Sequence, residues 1–458
     1  MAGTAKPRAL KRSMRMMGVL LLTLSAVTPA SSIFVSVPEA ITKAGSGAFL
    51  GMAVAAFLSI PIAYVYSELA SAFPIAGGEY SMVGRAAGAA AGFATFGLTC
   101  VGNILAPAVL AVAASKYIIP FDRDLNPIVV GMAIVALTTA LAILNIRTNA
   151  WITGAFLVLE LLALAVLAIL GFLDVKRSLW EIAVHPVVFS DGHVQTTSIA
   201  QIGLAISISL FAYNGYGTAV YFAEEMHEAP RLIGRTIFWA LAITVVAELV
   251  PVTAVLVGAP DLQAFGTAEN PFVDFVTTTG GRLLAIVISL SVALAIFNAV
   301  LATILQNARF FYCTGRDGTW HPRINHAFLI THGRFNSPWV ATLVAGVSSV
   351  ALCLLGQDWL LVISGVSIAL MYAAVCIAAI VGRNTGATDH AVYRMPLYPF
   401  WPVLGLVALA YVICLDAMDP SSGQPSLIIN VAAVVAAVGY YAVIVRRKGR
   451  FAFRDPAH

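Results

Sequence analysis

The sequence is dominated by apolar runs that are about as long as a bilayer is thick, and these runs limit what the chain can fold into. A helix that crosses a membrane needs roughly 20 apolar residues, and such runs recur from the first fifth of the chain to its end. Only 10% of the 458 residues are charged and 60% are hydrophobic, whereas a soluble domain carries about 25% charged residues. The runs therefore predict an all-α integral membrane protein.

Twelve transmembrane helices are predicted, and their count places both termini on the same side of the membrane. With both termini in the cytoplasm, the inner segments hold 20 of the 26 Lys and Arg residues, which is the positive-inside pattern. We therefore expect a multi-pass protein of a bacterial-type inner (plasma) membrane with cytoplasmic termini. The spans lie near residues 16–37, 47–70, 86–118, 127–146, 150–172, 198–222, 234–258, 280–312, 338–356, 359–382, 400–418 and 425–445.

The segments between the spans are too short to hold a soluble domain, so residues 1–458 are predicted to form a single transmembrane domain with short cytoplasmic tails at 1–15 and 446–458. The chain contains no nucleotide-binding, metalloprotease or nucleophile-elbow motif. Its five cysteines have no metal-ligand spacing, so no metal and no cofactor are expected. The net charge of +4 gives no indication of a nucleic-acid partner.

Two of the predicted spans are interrupted in the middle of the membrane. The first contains "TPASSIF" (28–34), where Pro29 removes a backbone N–H, and the sixth contains "YNGYG" (213–217). A proline kink would explain the first alone, but Gly/Pro-interrupted helices at corresponding positions of two halves indicate an inverted-repeat transporter. The repeats would be helices 1–5 (about 16–172) and 6–10 (about 198–382), with helices 11 and 12 (about 400–445) outside them.

Four segments occur in the order and on the side expected for one known family. They are "SELASAFPIAGGEY" (67–80), "LNIRTNAW" (144–151), "AEEMHEAPRLIGRTI" (223–237) and "ARFFYCTGRDG" (308–318). With them, the chain resembles the amino acid–polyamine–organocation (APC) superfamily permeases of the bacterial amino acid type over about residues 12–445. The resemblance implies the five-plus-five inverted repeat of the LeuT-type fold, with two extra C-terminal helices and with helices 1 and 6 broken.

The resemblance also implies a substrate site between the two breaks. Residues 30–32 read Ala-Ser-Ser where members usually have a Gly-Ser-Gly-like triplet, and Gly217 replaces an acid of some members. Phe211 is predicted to cover the substrate, although a lone aromatic is also typical of core packing; Ser364 and Ser367 are further candidates. The implied substrate-binding residues are Thr28, Ala30, Ser31, Ser32, Ile33, Asn103, Phe211, Ala212, Tyr213, Asn214, Gly215 and Asn298.

Three acids interrupt the apolar runs, and such residues usually face the protein interior. Glu68, in the first family motif, is predicted to form a cap or an ion pair. Glu160 stands where many members have a lysine near the coupling site. Because burial penalises a charged carboxylate, we expect Glu160 to carry a proton, with a structural hydrogen bond as the alternative and sodium as the less favoured ion. Glu248 is a second candidate for coupling, although a hydrogen bond to the backbone freed by Pro251 explains it as well.

These features predict a secondary active transporter for an amino acid, either proton-coupled or exchanging. No carboxylate is expected at either break, which favours a neutral zwitterion or a mono-amine; the alternative is a polyamine or ethanolamine permease of the same fold. Three other classes of protein are disfavoured. An enzyme would need a cluster of reactive side chains and a channel would need a continuous polar stripe along its helices, and neither is evident in the sequence. A nutrient sensor of the same fold is expected to have a long cytoplasmic extension, whereas both predicted tails are short. The expected partners are the substrate, protons and the lipid bilayer, and the chain is expected to be a monomer or a homodimer.

Overall fold

The computed structural model describes residues 10–118, 126–190, 193–268, 270–356, 359–360, 363, 366–420 and 423–456. Ser364, one of the predicted site residues, and the outermost parts of both predicted tails lie outside these residues. The described chain is almost entirely helical, as expected for an all-α membrane protein. A short antiparallel hairpin, β1 (Val187–Ser190) with β2 (His193–Thr196), is a departure from that prediction.

The part of the chain before the hairpin contains ten α-helices. They are α1 (Met16–Val27), α2 (Pro29–Ser31), α3 (Val37–Ala44), α4 (Ala48–Ala72), α5 (Gly78–Ala87), α6 (Ala89–Val101), α7 (Ala106–Ile118), α8 (Pro127–Ala142), α9 (Ile146–Leu173) and α10 (Leu179–Val184). A π-helix, Ser32–Ser36, joins α2 to α3, and a 3₁₀ helix, Gly45–Gly47, joins α3 to α4.

The described part after the hairpin contains the remaining helices. They are α11 (Ile199–Ala212), α12 (Ala229–Gly258), α13 (Leu262–Thr267), α14 (Pro271–Gly280), α15 (Arg282–Arg316), α16 (Pro322–Phe328), α17 (Trp339–Leu352), α18 (Ser367–Thr385), α19 (Phe400–Met418), α20 (Gly423–Tyr440) and α21 (Arg446–Lys448). Between them lie 3₁₀ helices at Tyr216–Glu225 and Cys353–Leu355 and a π-helix at Tyr441–Val445.

Within the described residues, nine helical segments are long and apolar enough to cross a membrane, and two shorter apolar helices accompany them. The segment Met16–Ala72 includes both the first and the second predicted spans. Every predicted span coincides with helix over most of its described length. The third differs in detail, because a turn at residues 102–105 divides it into α6 and α7. The crossing of the bilayer by twelve helices stays a prediction.

Small residues let the long helices pack at backbone contact. A Cβ atom added to Gly258 on α12 would lie 2.1 Å from the carbonyl oxygen of Gly171 on α9. A Cβ atom added to Gly51 on α4 would lie 2.6 Å from the Cβ of Ala205 on α11. Lipid tails give helices no hydrophobic reason to associate, so close packing through small residues is the usual solution in membranes. The second of these contacts places α11, the first half of the interrupted sixth span, directly against α4.

The interruption of the first span is centred on Thr28. This residue has φ 50° and ψ 73°, the left-handed conformation, which is rare for a β-branched side chain. Pro29 follows it and begins α2. The backbone therefore changes direction between α1 and α2, as the "TPASSIF" sequence predicts.

The interruption of the sixth span is centred on Gly215. Helix α11 ends at Ala212, Gly215 has φ 117°, and the chain continues as the 3₁₀ helix Tyr216–Glu225. Only glycine adopts such a φ readily, and a Cβ at this position would lie 3.0 Å from the Cγ2 of Val27. The break in the sixth span therefore packs directly against the end of α1, so the two breaks face each other.

Candidate functional site

A cavity of about 160 Å³ lies between the two breaks. Its walls come from the two breaks with the adjoining ends of α1 and α11, from the π-helix Ser32–Ser36 and the 3₁₀ helix Tyr216–Glu225, and from the turn between α6 and α7. The helices α4, α5, α7, α15 and α18 complete them. The structure brings eight of the predicted substrate-binding residues together in this lining. They are Thr28, Ser31, Ser32, Asn103, Phe211, Ala212, Asn214 and Gly215.

Polar side chains connect the two breaks across the cavity. The hydroxyl group of Ser32 donates a hydrogen bond to the carbonyl oxygen of Ala212 at 2.9 Å. The hydroxyl group of Tyr372, on α18, donates to Oδ1 of Asn214 at 2.5 Å. Backbone groups freed by broken helices at membrane depth need partners inside the protein, and these side chains supply some of them. The cavity therefore combines a mostly apolar wall with a few oriented polar groups, as small-molecule sites usually do.

Four other predicted residues lie behind the cavity wall. Ile33 and Ala30 are fully buried beside the first break, and Tyr213 is buried beside the second. Asn298 donates hydrogen bonds to Ser25 Oγ at 3.0 Å and to the carbonyl oxygen of Thr153 at 3.1 Å. The amide of Asn298 therefore joins α15 to α1 and α9.

Glu160 lies on α9, directly against the first break. Its Oε1 accepts hydrogen bonds from the backbone N–H of Ala30 at 2.7 Å and from the hydroxyl group of Thr28 at 3.2 Å. Its Oε2 has no hydrogen-bond partner among the described residues. The carboxyl group thus binds an N–H group that the helix break leaves without an intrahelical partner, and it helps to hold Thr28 in its left-handed conformation.

Glu248 lies on α12, behind both breaks. Neither of its carboxyl oxygens has a hydrogen-bond partner in the described part of the chain, so the proposed bond to backbone freed by Pro251 is absent there. Glu160 and Tyr213 are its electrostatic neighbours, and the hydroxyl group of Ser32, which donates to Ala212, lies close to it. The hydroxyl group of Tyr213 also has no partner among the described residues. Polar groups are costly to bury without a partner. Glu248 therefore stays a candidate for a role in coupling.

The structure adds cavity residues that sequence reasoning missed. Glu79 is the only charged side chain among the described lining residues. The expectation that no carboxylate lies at either break is wrong, because Glu160 contacts the first break and Glu79 lines the cavity. The "GGEY" motif contains Glu79, but only the fold of α5 turns its side chain inward. The other missed lining residues include Tyr66, Thr218, Thr303, Gln306 and Tyr372.

The cavity is open at one end and closed at the other. Phe211, in the last turn of α11, is 40% exposed, and Ser36 and Val109 are partly exposed beside it. At the opposite end, Tyr66 is fully buried and Glu79 is only 6% exposed. The 3₁₀ helix Tyr216–Glu225 packs there against α1, α4 and α5. We call these the open end and the closed end.

Buried ion pairs surround the closed end. Arg309 contacts Glu225 through two hydrogen bonds of 2.9 and 3.2 Å, and Arg316 contacts Glu224 at 2.7 Å. Glu68 accepts two hydrogen bonds of 2.6 Å from Arg383, so the prediction of a structural ion pair at Glu68 is confirmed. Two of these pairs join the third family motif to the fourth, and Glu68 of the first motif pairs with Arg383, which lies outside the four motifs.

The C-terminal segment also packs onto the closed end. The backbone N–H of Arg454 donates to Oδ1 of Asp317 at 3.1 Å, and the ring of Phe453 lies 5.6 Å from that of Tyr80. Burial raises the pKa of Asp317 to about 6, against the opposing effect of Arg316. The described part of the predicted tail 446–458 is therefore attached to α5 and to Asp317, which directly follows α15. No cluster of three His, Cys, Asp or Glu side chains suited to a metal occurs among the described residues.

Apolar spanning helices, two facing helix breaks and a central cavity define this protein as a multi-pass membrane transport protein. The comparison with known families agrees, since the model described as "Amino acid permease" matches residues 14–438. The chain therefore belongs to the amino acid permease family, within the APC superfamily.

Similar proteins are transporters and not enzymes. The chain is 27% identical to an uncharacterized transporter of Mycobacterium tuberculosis over 446 residues, covering 96% of this chain and 94% of that protein. It is 26% identical to the branched-chain amino acid permease BcaP of Lactococcus lactis subsp. cremoris, covering 81% of this chain and 82% of BcaP. It is 27% identical to the human large neutral amino acids transporter small subunit 2, covering 63% of this chain and 55% of that protein.

Proposed function

We propose that this protein is a secondary active transporter that moves an amino acid across the plasma membrane by alternating access. The observation that carries the proposal is the cavity between the two helix breaks, which is open at one end and closed at the other. A transporter of this kind exposes one central site to each side of the membrane in turn. The termini are proposed to be cytoplasmic, on the basis of the Lys and Arg distribution.

Pairwise packing supports an inverted repeat of helices 1–5 and 6–10 with two helices outside it. Helix α4 packs on α12, α7 packs on α15, and α1 packs on the 3₁₀ helix of the sixth span. These are the second, third and first spans of one proposed repeat, each against its counterpart in the other. The two breaks also occupy corresponding positions. We therefore retain the twelve-helix, five-plus-five arrangement as part of the proposal.

An amino acid is the proposed substrate, with a neutral zwitterion favoured. The names of two relatives, a branched-chain permease and a large neutral amino acids transporter, support a neutral side chain. One observation favours the alternative, a polyamine or ethanolamine permease. Glu79 contributes the only charge in the described cavity lining, and a carboxylate is the group that pairs with an ammonium ion.

We propose that Glu160 carries the coupling proton. Its contact with Ala30 links it to the first break, and its second carboxyl oxygen has no partner among the described residues. Sodium is the less favoured alternative, because it needs several oxygen ligands around it. The hydroxyl group of Thr28 and the carbonyl oxygen of Ala295 lie 3.5 Å apart beside Glu160, and they are the described oxygens that such an ion would use. Exchange without net proton movement is a second alternative.

Purified protein in liposomes tests the proposed function. Uptake of radiolabelled neutral amino acids, cationic amino acids, polyamines and ethanolamine would be measured with and without an imposed pH gradient, and with sodium or potassium outside. The proposal predicts saturable uptake of a neutral amino acid that a pH gradient increases. Uptake of polyamines or ethanolamine alone would favour the alternative, and no saturable uptake of any of them would contradict both.

The replacement Ser32→Leu should abolish substrate binding and leave the protein folded. Ser32 lines the cavity, and a leucine side chain would both fill this space and remove the hydrogen bond to Ala212. Isothermal titration calorimetry would measure binding, and size-exclusion chromatography would check the fold. Ser291→Leu makes the same replacement on α15, outside the described cavity lining, and is the control variant. Unaltered binding by Ser32→Leu would place the site elsewhere.

The replacement Phe211→Ala should raise the apparent KM and slow transport, whereas Phe211→Trp should be partly tolerated. Phe211 lines the open end of the cavity and is 40% exposed there, so its ring is free to close over a bound substrate. An aromatic contact contributes about 1 kcal/mol, which corresponds to a KM increase of about fivefold. Uptake kinetics in liposomes would measure this change. Normal uptake by the alanine variant would exclude the covering role.

A further inference from the structure

Glu79 connects separate elements across the closed end of the cavity. Its Oε1 accepts a hydrogen bond from the hydroxyl group of Tyr66, on α4, at 2.9 Å. Its Oε2 accepts a second hydrogen bond from the hydroxyl group of Tyr221, on the 3₁₀ helix of the sixth span. The side-chain amide of Asn103, in the turn between α6 and α7, donates to the same Tyr221 oxygen at 2.8 Å. One carboxyl group therefore lies at the centre of contacts from four parts of the chain.

The backbone beside Glu79 is shaped to receive Tyr221. Gly78 has φ +58°, and a Cβ atom added there would lie 2.0 Å from the ring of Tyr221. No other residue type would leave room for the ring at this distance. Tyr221 is itself 1% exposed, so the contact between its ring, Gly78 and the Glu79 carboxyl group is closely packed on every side.

We propose that Glu79 is a positioning residue of the transport cycle, which holds the 3₁₀ helix against α5 through Tyr221 and so keeps this end of the cavity closed. The inference rests on the proposed alternating-access function, in which the closed end has to open once in each cycle. Opening moves the 3₁₀ helix away from α5 and breaks the bond between Tyr221 and Glu79. The strength of that bond then sets the balance between the two states.

A carboxylate suits this position better than an amide. It accepts hydrogen bonds at both oxygens, so two tyrosine hydroxyl groups can donate to it at once. Hydrogen bonds to a charged acceptor are also stronger than those between neutral groups. Glutamine would present an NH₂ group to one of the two tyrosines. The Glu79→Gln replacement therefore weakens the connection with little change of volume.

Cys313 provides a reporter for opening of this end. It is fully buried on α15, and a Cβ atom added to Gly77 would lie 2.6 Å from its sulfur. The guanidinium group of Arg316 covers it at 3.3 Å and is paired with Glu224 on the 3₁₀ helix. Movement of the 3₁₀ helix away from α5 therefore uncovers the sulfur, which does not line the cavity.

The experiment measures the rate at which a maleimide labels Cys313 in detergent, with Cys100, Cys353, Cys376 and Cys414 replaced by alanine. Glu79→Gln and Tyr221→Phe should each increase the rate by about tenfold, since a hydrogen bond to a charged group changes an equilibrium by roughly this factor or more. Because both variants weaken the same contact between Glu79 and Tyr221, the double variant should show less than the product of the two effects. Tyr440→Phe, which removes a hydroxyl group bonded to Thr319 at the same end, should leave the rate unchanged.

A second measurement separates positioning from a loss of stability. Uptake by the Glu79→Gln and Tyr221→Phe variants would be measured in oriented vesicles. Weakening the contact raises the population of the state in which the closed end is open and lowers that of the other state. The apparent KM should therefore rise for substrate added at the face of the open end and fall for substrate added at the opposite face. Equal labelling rates in the wild type, Glu79→Gln and Tyr221→Phe would overturn the proposal, as would equal changes of KM at both faces. The labelling needs no substrate, so it decides the role of Glu79 even if amino acid uptake is not found.

Discussion

Replacing Glu225 with alanine should destabilise this protein more than any of the other single-residue replacements proposed for it. Glu225 and Arg309 are both almost completely buried and are joined by two hydrogen bonds of 2.9 and 3.2 Å. Removal of the acid leaves a buried guanidinium group without its partner, which costs about 3–5 kcal/mol. The stacking of Arg309 over the ring of Phe222 does not supply the missing hydrogen bonds. The cost would be measured as unfolding in detergent, by denaturant or by heat.

The chain contains a matched control for this prediction. Asp389 and Arg394 form an ion pair of the same length, 2.9 Å, but their side chains are 71% and 50% exposed. Exposed pairs contribute about 0–1 kcal/mol, so Asp389→Ala should change stability little. The double variant Glu225→Gln with Arg309→Met should recover part of the loss, because no unpaired charge stays buried. Similar losses from Glu225→Ala and Asp389→Ala would show that burial of the pair is unimportant.

Replacing Glu160 with glutamine should abolish accumulation driven by a pH gradient while preserving substrate binding and exchange. Glutamine retains a carbonyl oxygen that accepts the hydrogen bond from the N–H of Ala30, which Glu160 accepts at 2.7 Å. It therefore resembles the protonated acid and keeps the first break intact. Glutamine cannot bind and release a proton, so substrate movement is no longer coupled to the pH gradient. Counterflow and gradient-driven uptake in the same liposomes would measure the two activities.

Glu248→Gln is the informative comparison for this result. Glu248 is equally buried but contacts neither break by a hydrogen bond within the described residues. If Glu160 carries the proton, the Glu248 variant should retain at least part of the gradient-driven uptake. Accumulation that still follows the pH gradient in Glu160→Gln, or wild-type uptake that requires sodium, would contradict the proposed role. Loss of accumulation only in the Glu248 variant would assign coupling to that residue.

The membrane location, most helix positions and both breaks could be predicted because they depend on local sequence. A run of about 20 apolar residues has few alternatives to a membrane helix, and Pro29 and Gly215 disturb a helix wherever they occur. The family could also be recognised, since its motifs are short and contiguous. The turn at residues 102–105 was missed because apolar side chains continue through it, and hydropathy does not report a change of backbone direction.

The sequence alone determined that this chain is a helical membrane protein of the amino acid permease type with a break in its first and sixth spans. Each of these features depends only on residues that are close together in the sequence. Only the tertiary structure decided what the breaks face. Glu79 meets Tyr221 across 142 positions of sequence, and Glu160 meets Ala30 across 130. Such contacts depend on how helices of similar apolar composition pack, and that packing follows from the shapes of small residues such as Gly78 and Gly258, which hydropathy does not distinguish.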